Sequence, residues 1–252
     1  MMRFLLLFIF LLVTSQAFSQ PVLTDAWLLK RIFGKTDRNN KTFTRPFREG
    51  EGDHSYHDSV TYSVVFKQET ELGNQKLWVV IIEAPNSSQH GHHLGYMDIY
   101  FFKNTPGGFE LVDSLVSESE VPLGDISDYS IIDIGKGKKA LISTFQSTGN
   151  QHFENTKTVC YLEIGSLTYL FNIYSKYDNS AWKVPLNETD DCEAEKYTET
   201  FEVIKSEKSW YDVKVTHADY QFTKGCKEET IAGTRAFSLV YDGKKYTEMK
   251  TK

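Results

Sequence analysis

The feature of this sequence that most constrains its fold is a series of short β-strand patterns separated by turn signals. Residues 60–67 alternate apolar and polar side chains, which is the pattern of a strand with one buried face. Residues 77–82 form a continuous apolar run, which is typical of a strand covered on both faces. Asp242-Gly243 is the strongest hairpin dipeptide in the chain. About eleven such strands follow one another, and their short connections favour antiparallel pairing of neighbours.

We therefore predict an all-β fold: an antiparallel meander of about eleven strands with one short N-terminal helix. Sandwich, barrel and irregular propeller-like arrangements stay open, because no strict repeat period is present. The helix is expected over residues 26–33, with Thr24 or Asp25 as its N-cap and Gly34 at its end. Residues 35–52 are polar and have no period, which indicates a loop.

The N-terminus has the pattern of a signal peptide. Arg3 precedes an apolar run at residues 4–13, and small residues follow, so that cleavage after Ala17 or Ser19 fits. We expect a signal peptide at residues 1–19, and a single β-rich domain at 20–252. No later segment reaches the ~20 apolar residues of a membrane span, so the mature chain is expected to have no transmembrane segment. This predicts a secreted or periplasmic protein, with an uncleaved membrane anchor as the alternative.

Composition and charge narrow the class of partner. The chain contains 14 Tyr and 17 Phe, enough apolar material for a sizeable core. The formal net charge is −6 and no long basic block is present, which argues against nucleic-acid binding, since phosphate contacts need clustered Lys and Arg.

Three cysteines bear on the redox chemistry of the chain. An exported protein meets an oxidising compartment, so one disulfide and one free thiol are expected. Cys192 and Cys226 flank the predicted hairpin formed by residues 197–204 and 210–215, which brings both cysteines to the same end of that hairpin. We predict a disulfide between them. Cys160 alternates with apolar neighbours in a strand and is expected to stay reduced.

Two histidine groups are the candidate metal ligands. His90, His92 and His93 precede the strand predicted at residues 96–103. A second pair, His54 and His57, lies in a polar segment. Neutral imidazole is a common ligand for zinc and copper, so a metal-dependent enzyme or metal-binding protein is the alternative function. However, no H-E-x-x-H motif is present, and solvated loop histidines explain the same pattern. The first expectation is therefore no cofactor.

A binding protein is the function that the sequence favours. The sequence contains no motif for a nucleophilic serine, because no G-x-S-x-G occurs. Trp182 lies in a polar stretch rather than a strand, and is the best candidate for an exposed aromatic that stacks on a ligand. We predict an exported, non-enzymatic protein that binds a protein or glycan partner through loops at one end of a β scaffold.

One short stretch resembles a known family. The sequence from Ile132 to Ile142 is similar to the hairpin at the start of a blade in FG-GAP-type β-propeller repeats, with Asp133, Gly135 and Gly137 matching the outline of the family's calcium loop. Lys136 departs from it by placing a positive charge where the family has acidic ligands. The resemblance implies a β-hairpin and argues against calcium here. More broadly, the chain resembles uncharacterised exported bacterial β-rich proteins.

Overall fold

One short helix precedes the sheets. The computed structural model describes residues 22–46, 59–84, 96–116, 125–149, 152–180, 194–222 and 229–249. Helix α1 spans Asp25–Phe33, and the Thr24 hydroxyl accepts a hydrogen bond from the Trp27 backbone N–H at 3.2 Å. Gly34 ends the helix with a φ of 78°, a left-handed conformation that glycine adopts without strain. The predicted helix and both of its caps are confirmed.

The rest of the described chain is built from antiparallel strands, which confirms the all-β prediction. The first five strands are β1 Thr42–Pro46, β2 Ser59–Leu72, β3 Gln75–Ala84, β4 Tyr96–Thr105 and β5 Gly108–Leu115. The next four are β6 Asp125–Gly135, β7 Lys138–Gly149, β8 His152–Glu163 and β9 Ser166–Asp178. The last four are β10 Lys196–Ile204, β11 Asp212–Phe222, β12 Glu229–Tyr241 and β13 Tyr246–Glu248.

These strands form two meandering sheets. The first has the order β1-β2-β3-β4-β5, and the second has the order β13-β12-β11-β10-β9-β8-β7-β6. The interpretation of residues 35–52 as a loop is wrong at Thr42–Pro46, because β1 pairs antiparallel with β2. Five residues are too few to show a clear alternation, so the sequence pattern did not predict this edge strand. No helix in the described ranges is long and apolar enough to cross a membrane.

Three apolar layers hold the sheets and the helix together. Leu28 and Leu29 of α1 pack on one face of the first sheet, with Phe102 of β4 beneath them. The neighbouring Phe101 points to the opposite face, where it packs with Leu141 and Leu162 of the second sheet. Successive side chains of a strand alternate in this way. The first sheet is therefore buried on both faces, as the apolar run at residues 77–82 indicated.

The second sheet curls until its edge strand β6 meets the chain segment that precedes β11. A bridge joins Gly135, at the end of β6, to Trp210 in that segment. The Lys136 N–H donates to the Ser209 carbonyl at 3.0 Å, and the Tyr211 N–H donates to the Ile134 carbonyl at 3.0 Å. The sheet is thus a half-barrel with a concave inner face, and these contacts close one end of it.

Candidate functional site

The concave face of the second sheet holds an open groove of about 730 Å³. Strands β6 to β10 and the residues just after β10 line it, because the curl brings edge strand β6 opposite β10. Its lining residues are Asp128, Ser130, Ile131, Ile132, Asp133, Ile142, Thr144, Lys157, Ile173, Thr200, Phe201, Val203 and Lys205. This volume is within the range of small-molecule binding sites.

Aromatic side chains fill the closed end of the half-barrel. Trp210 stacks on Tyr241 with ring centroids 4.0 Å apart and meets Tyr161 edge-on at 4.9 Å. The Tyr246 hydroxyl lies 3.2 Å from the Ile134 carbonyl, to which it donates. Gly135 passes so close to the Ser209 carbonyl that a Cβ atom would collide with it. The closed end is therefore a packed aromatic plug that glycine makes possible.

The inner face changes from apolar to polar along the strands. Strand register places Ser130, Ile142, Val159 and Phe171 side by side in one row across β6 to β9. One step further from the closed end, the corresponding row is Asp128, Thr144, Lys157 and Ile173. The opposite wall changes in the same direction, since the cross-strand pair Phe201 and Val215 is followed by Glu199 and His217. The groove is thus amphipathic along its length.

His217 is the most constrained charged group at the polar end. Its side chain is only 7% exposed, its Nδ1 lies 3.0 Å from Glu199 Oε1, and its Nε2 lies 2.8 Å from Asp219 Oδ1. Burial by itself would lower the pKa of His217, but the two carboxylate hydrogen bonds outweigh burial and the nearby Arg235, and the pKa is raised above the ordinary 6.5. When the imidazole is protonated, both ring nitrogens donate to these carboxylates and leave no lone pair for a metal ion.

Stacked rings orient this histidine. Tyr197 lies against His217 with centroids 5.0 Å apart, and Tyr177 lies against Tyr197 at 5.0 Å. His152 continues the row by stacking on Tyr177 at 5.5 Å. The Tyr174 N–H donates to Glu199 at 2.9 Å, which fixes the carboxylate that faces His217. The arrangement makes a rigid polar wall at the open end of the sheet.

A second buried carboxylate lies between the sheets. Glu83 of β3 is 7% exposed and accepts a hydrogen bond from the Tyr129 hydroxyl of β6. That hydroxyl is also 3.3 Å from the Met97 sulfur. Burial raises the pKa of Glu83 above its ordinary 4.5, although the Tyr129 hydrogen bond opposes the shift. The pair ties β3 to β6 and does not line the groove.

A second cavity, of about 790 Å³, lies beside α1. Trp78 and Phe109 contribute aromatic surface to it. Two of its lysines are held by the chain itself: Lys67 contacts Asp25 at 2.6 Å, and Lys76 pairs with Glu69. These ion pairs satisfy most of its charge, so the groove of the second sheet is the better candidate site.

Most of the site residues predicted from the sequence lie outside the described residues. They are His54, His57, His90, His92, His93, Trp182, Cys192 and Cys226. The metal, aromatic and disulfide predictions therefore stay predictions. Among the residues that the structure describes, no group of three or more histidine, cysteine and carboxylate side chains could hold a metal ion.

Cys160 and the hairpin at residues 132–142 are within the described chain. Cys160 is a free, half-buried thiol, and burial raises its pKa to about 11, so it is a protonated thiol at neutral pH. The expected hairpin is present as β6 and β7. Asp133 faces Lys139 at 2.6 Å and Lys205 at 3.9 Å, so its carboxylate is engaged by lysines.

Sequence reasoning missed Lys157 and His217. Lys157 lies in β8, which begins at His152, and His217 lies beyond residue 215, where the predicted strand stopped although β11 continues to Phe222. Alternation with Val213 and Val215 was the available signal, since it places His217 on the same face.

No family model, no curated protein and no solved structure matches this chain.

Proposed function

We propose that this chain is an exported, non-enzymatic binding protein and that its ligand lies in the groove of the second sheet. The supporting observation is a concave face with an apolar floor that the described chain leaves open. Ile142, Ile173 and Phe201 contribute to that floor. A cleft of this size lined by apolar side chains is a usual place for a small ligand.

The proposal keeps the class of function expected from the sequence and assigns a different surface. The ligand is placed on the face of the sheet rather than on end loops. Rigid strands hold a binding surface more accurately than loops do. The titratable groups near the groove also suit binding better than catalysis, because the carboxylates of Glu199 and Asp219 hold both ring nitrogens of His217.

A neutral apolar dye tests the groove directly. N-phenyl-1-naphthylamine fluoresces when it leaves water, and we expect saturable binding of one dye per chain. Thr144→Phe places a ring in the groove and should abolish that binding. Thr230→Phe adds the same ring at an exposed position of β12 and should leave binding unchanged. Absence of saturable binding, or equal binding by both variants, would contradict the proposed function.

Export is tested separately. We expect N-terminal sequencing of protein collected outside the cytoplasm to begin just after Ala17 or Ser19, since the small residues there fit signal-peptide cleavage. An intact Met1 on membrane-bound protein would contradict export and leave the groove's binding unaffected.

A further inference from the structure

Lys157 is an uncompensated charge on the inner face of the half-barrel. It is half-buried in β8 and makes no ion pair with any residue that the structure describes. Two other lysines of the same sheet have carboxylate partners: Lys139 contacts Asp133 at 2.6 Å, and Lys196 contacts Asp178 at 3.7 Å. An ammonium that lines the groove without a carboxylate partner in the described chain offers a place for an anion at this position.

The surroundings of Lys157 suit a small anionic head. Thr144 is its cross-strand neighbour on β7, and Thr200 lines the groove from the opposite wall. Both hydroxyls can donate to the anion that the ammonium attracts. Lys205, the other lysine of the groove, is 73% exposed and faces Asp133 at 3.9 Å, so it is a weaker anchor.

The floor next to Lys157 suits an alkyl chain. Ile173 is the cross-strand partner of Lys157, and Ile142, Phe201 and Val203 continue the apolar surface toward the closed end. A ligand that is anionic at one end and apolar along its length would match this order of side chains. The groove volume of about 730 Å³ exceeds what a single chain of about twelve carbons needs.

We propose that the groove binds a single-chain alkyl carboxylate, with its carboxylate against Lys157 and its chain on Ile142, Ile173 and Phe201. This inference rests on the proposed binding function and names its ligand class. Asp128 lies in the same cross-strand row, is exposed and repels an anionic head. The carboxylate is therefore placed on the Lys157 side of Thr144, and Asp128 weakens its binding.

Displacement of N-phenyl-1-naphthylamine by dodecanoate, dodecan-1-ol and dodecyltrimethylammonium at pH 8 tests the ligand class. For the natural sequence, dodecanoate should bind most tightly and the cation least. Lys157→Met keeps an unbranched side chain and removes the charge, so dodecanoate should bind about tenfold more weakly while dodecan-1-ol is unchanged. Lys214→Met, at an exposed position of β11, should change neither affinity. Asp128→Asn should tighten dodecanoate binding.

Each contrary result has a distinct meaning. Equal affinity for dodecanoate and dodecan-1-ol, with no effect of Lys157→Met, overturns the ligand class while the dye still binds in the groove. Tighter binding of dodecyl phosphate than of dodecanoate overturns the carboxylate assignment. Failure of the dye itself to bind is the separate result that defeats the proposed function.

Discussion

At the scale of single residues, buried titratable groups make the stability of this protein depend on pH. His217 contacts two carboxylates at the polar end of the second sheet, which favours its protonated form, whereas Glu83 accepts a hydrogen bond from the Tyr129 hydroxyl. The pKa of each group is raised, but the consequences differ. The folded protein favours the charged form of His217 and the neutral form of Glu83.

His217→Gln should lower the free energy of unfolding most at mildly acidic pH. A raised folded-state pKa stabilises the fold fully below the unfolded value of about 6.5, and this contribution is lost as pH rises through the folded pKa. We expect a loss of about 1.5–3 kcal/mol at pH 6, typical of hydrogen bonds to charged groups, and a smaller loss at pH 9. Urea unfolding at both pH values measures the difference.

The carboxylates supply the control for this prediction. In a Glu199→Gln/Asp219→Asn background, His217→Gln should have the same small effect at pH 6 and pH 9. An equal loss at both pH values in the natural sequence would show that the histidine acts through packing alone.

Glu83→Gln should stabilise the protein at neutral pH. The raised pKa of Glu83 means that the folded state loses stability as pH rises from 4.5 through the folded pKa, because a buried carboxylate must then ionise. Glutamine has the same shape, still accepts from Tyr129 and carries no charge. We expect a gain of about 1–3 kcal/mol at pH 7.5 that disappears below pH 4.5. Thermal unfolding across this range checks it.

Glu69, a carboxylate on the β2–β3 hairpin that also carries Glu83, provides the control for Glu83→Gln. Glu69 of β2 is paired with Lys76 near the surface, and Glu69→Gln should change stability by less than about 1 kcal/mol, as exposed ion pairs contribute little. Destabilisation by Glu83→Gln at pH 7.5 would mean that the charged carboxylate is needed.

At the scale of secondary-structure elements, one backbone contact closes an end of the curled second sheet. The turn after β6 meets the segment before β11 through a single bridge, and Gly135 allows that approach because it has no Cβ. The rest of the curl follows from strand twist and from bulges, such as the register shifts in β9 opposite Thr156 and Cys160.

Gly135→Ala should open the closed end of the half-barrel. The added methyl group would collide with the Ser209 carbonyl, so the backbone must shift at a cost of about 1–3 kcal/mol. We also expect weaker dye binding, since the walls of the groove separate. Gly107→Ala, in the open turn between β4 and β5, meets nothing within 4 Å and should leave both properties unchanged. Unaltered dye binding in Gly135→Ala would show that closure is not required.

At the scale of the whole molecule, the first sheet is the layer shared by the helix and the second sheet. Two adjacent phenylalanines of β4 serve these two contacts separately. Phe101 packs toward Leu141 and Leu162 of the second sheet, while Phe102 packs toward α1, with its ring 5.7 Å from that of Trp27. A single cooperative unit would couple the sheets through Phe101.

Phe101→Ala and Phe102→Ala separate these contacts by amide hydrogen exchange. Each substitution should lower the free energy of unfolding by about 3–5 kcal/mol, because both side chains are fully buried. Phe101→Ala should speed exchange in β7 and β8, whereas Phe102→Ala should speed exchange in α1. Faster exchange confined to the first sheet in Phe101→Ala would show that the two sheets open independently.

The sequence alone determined the elements and their pairing of neighbours. Alternation, turn dipeptides and caps are local signals, and they predicted the all-β class, α1 and most strands within a few residues. The sequence did not predict the ends of strands where polar residues still pair with the neighbouring strand, as at His217. A run of polar residues was interpreted as the end of the strand.

Tertiary structure decided which surface became concave and which charges it brought together. Lys157 and Thr200 are far apart in sequence, and only the curl of the second sheet puts them on facing walls. Glu199 and His217 meet instead through the register of the β10–β11 hairpin, beyond the point where the predicted strand stopped. Local patterns cannot specify the curl, because it depends on accumulated twist, bulges and the single approach of Gly135 to Ser209.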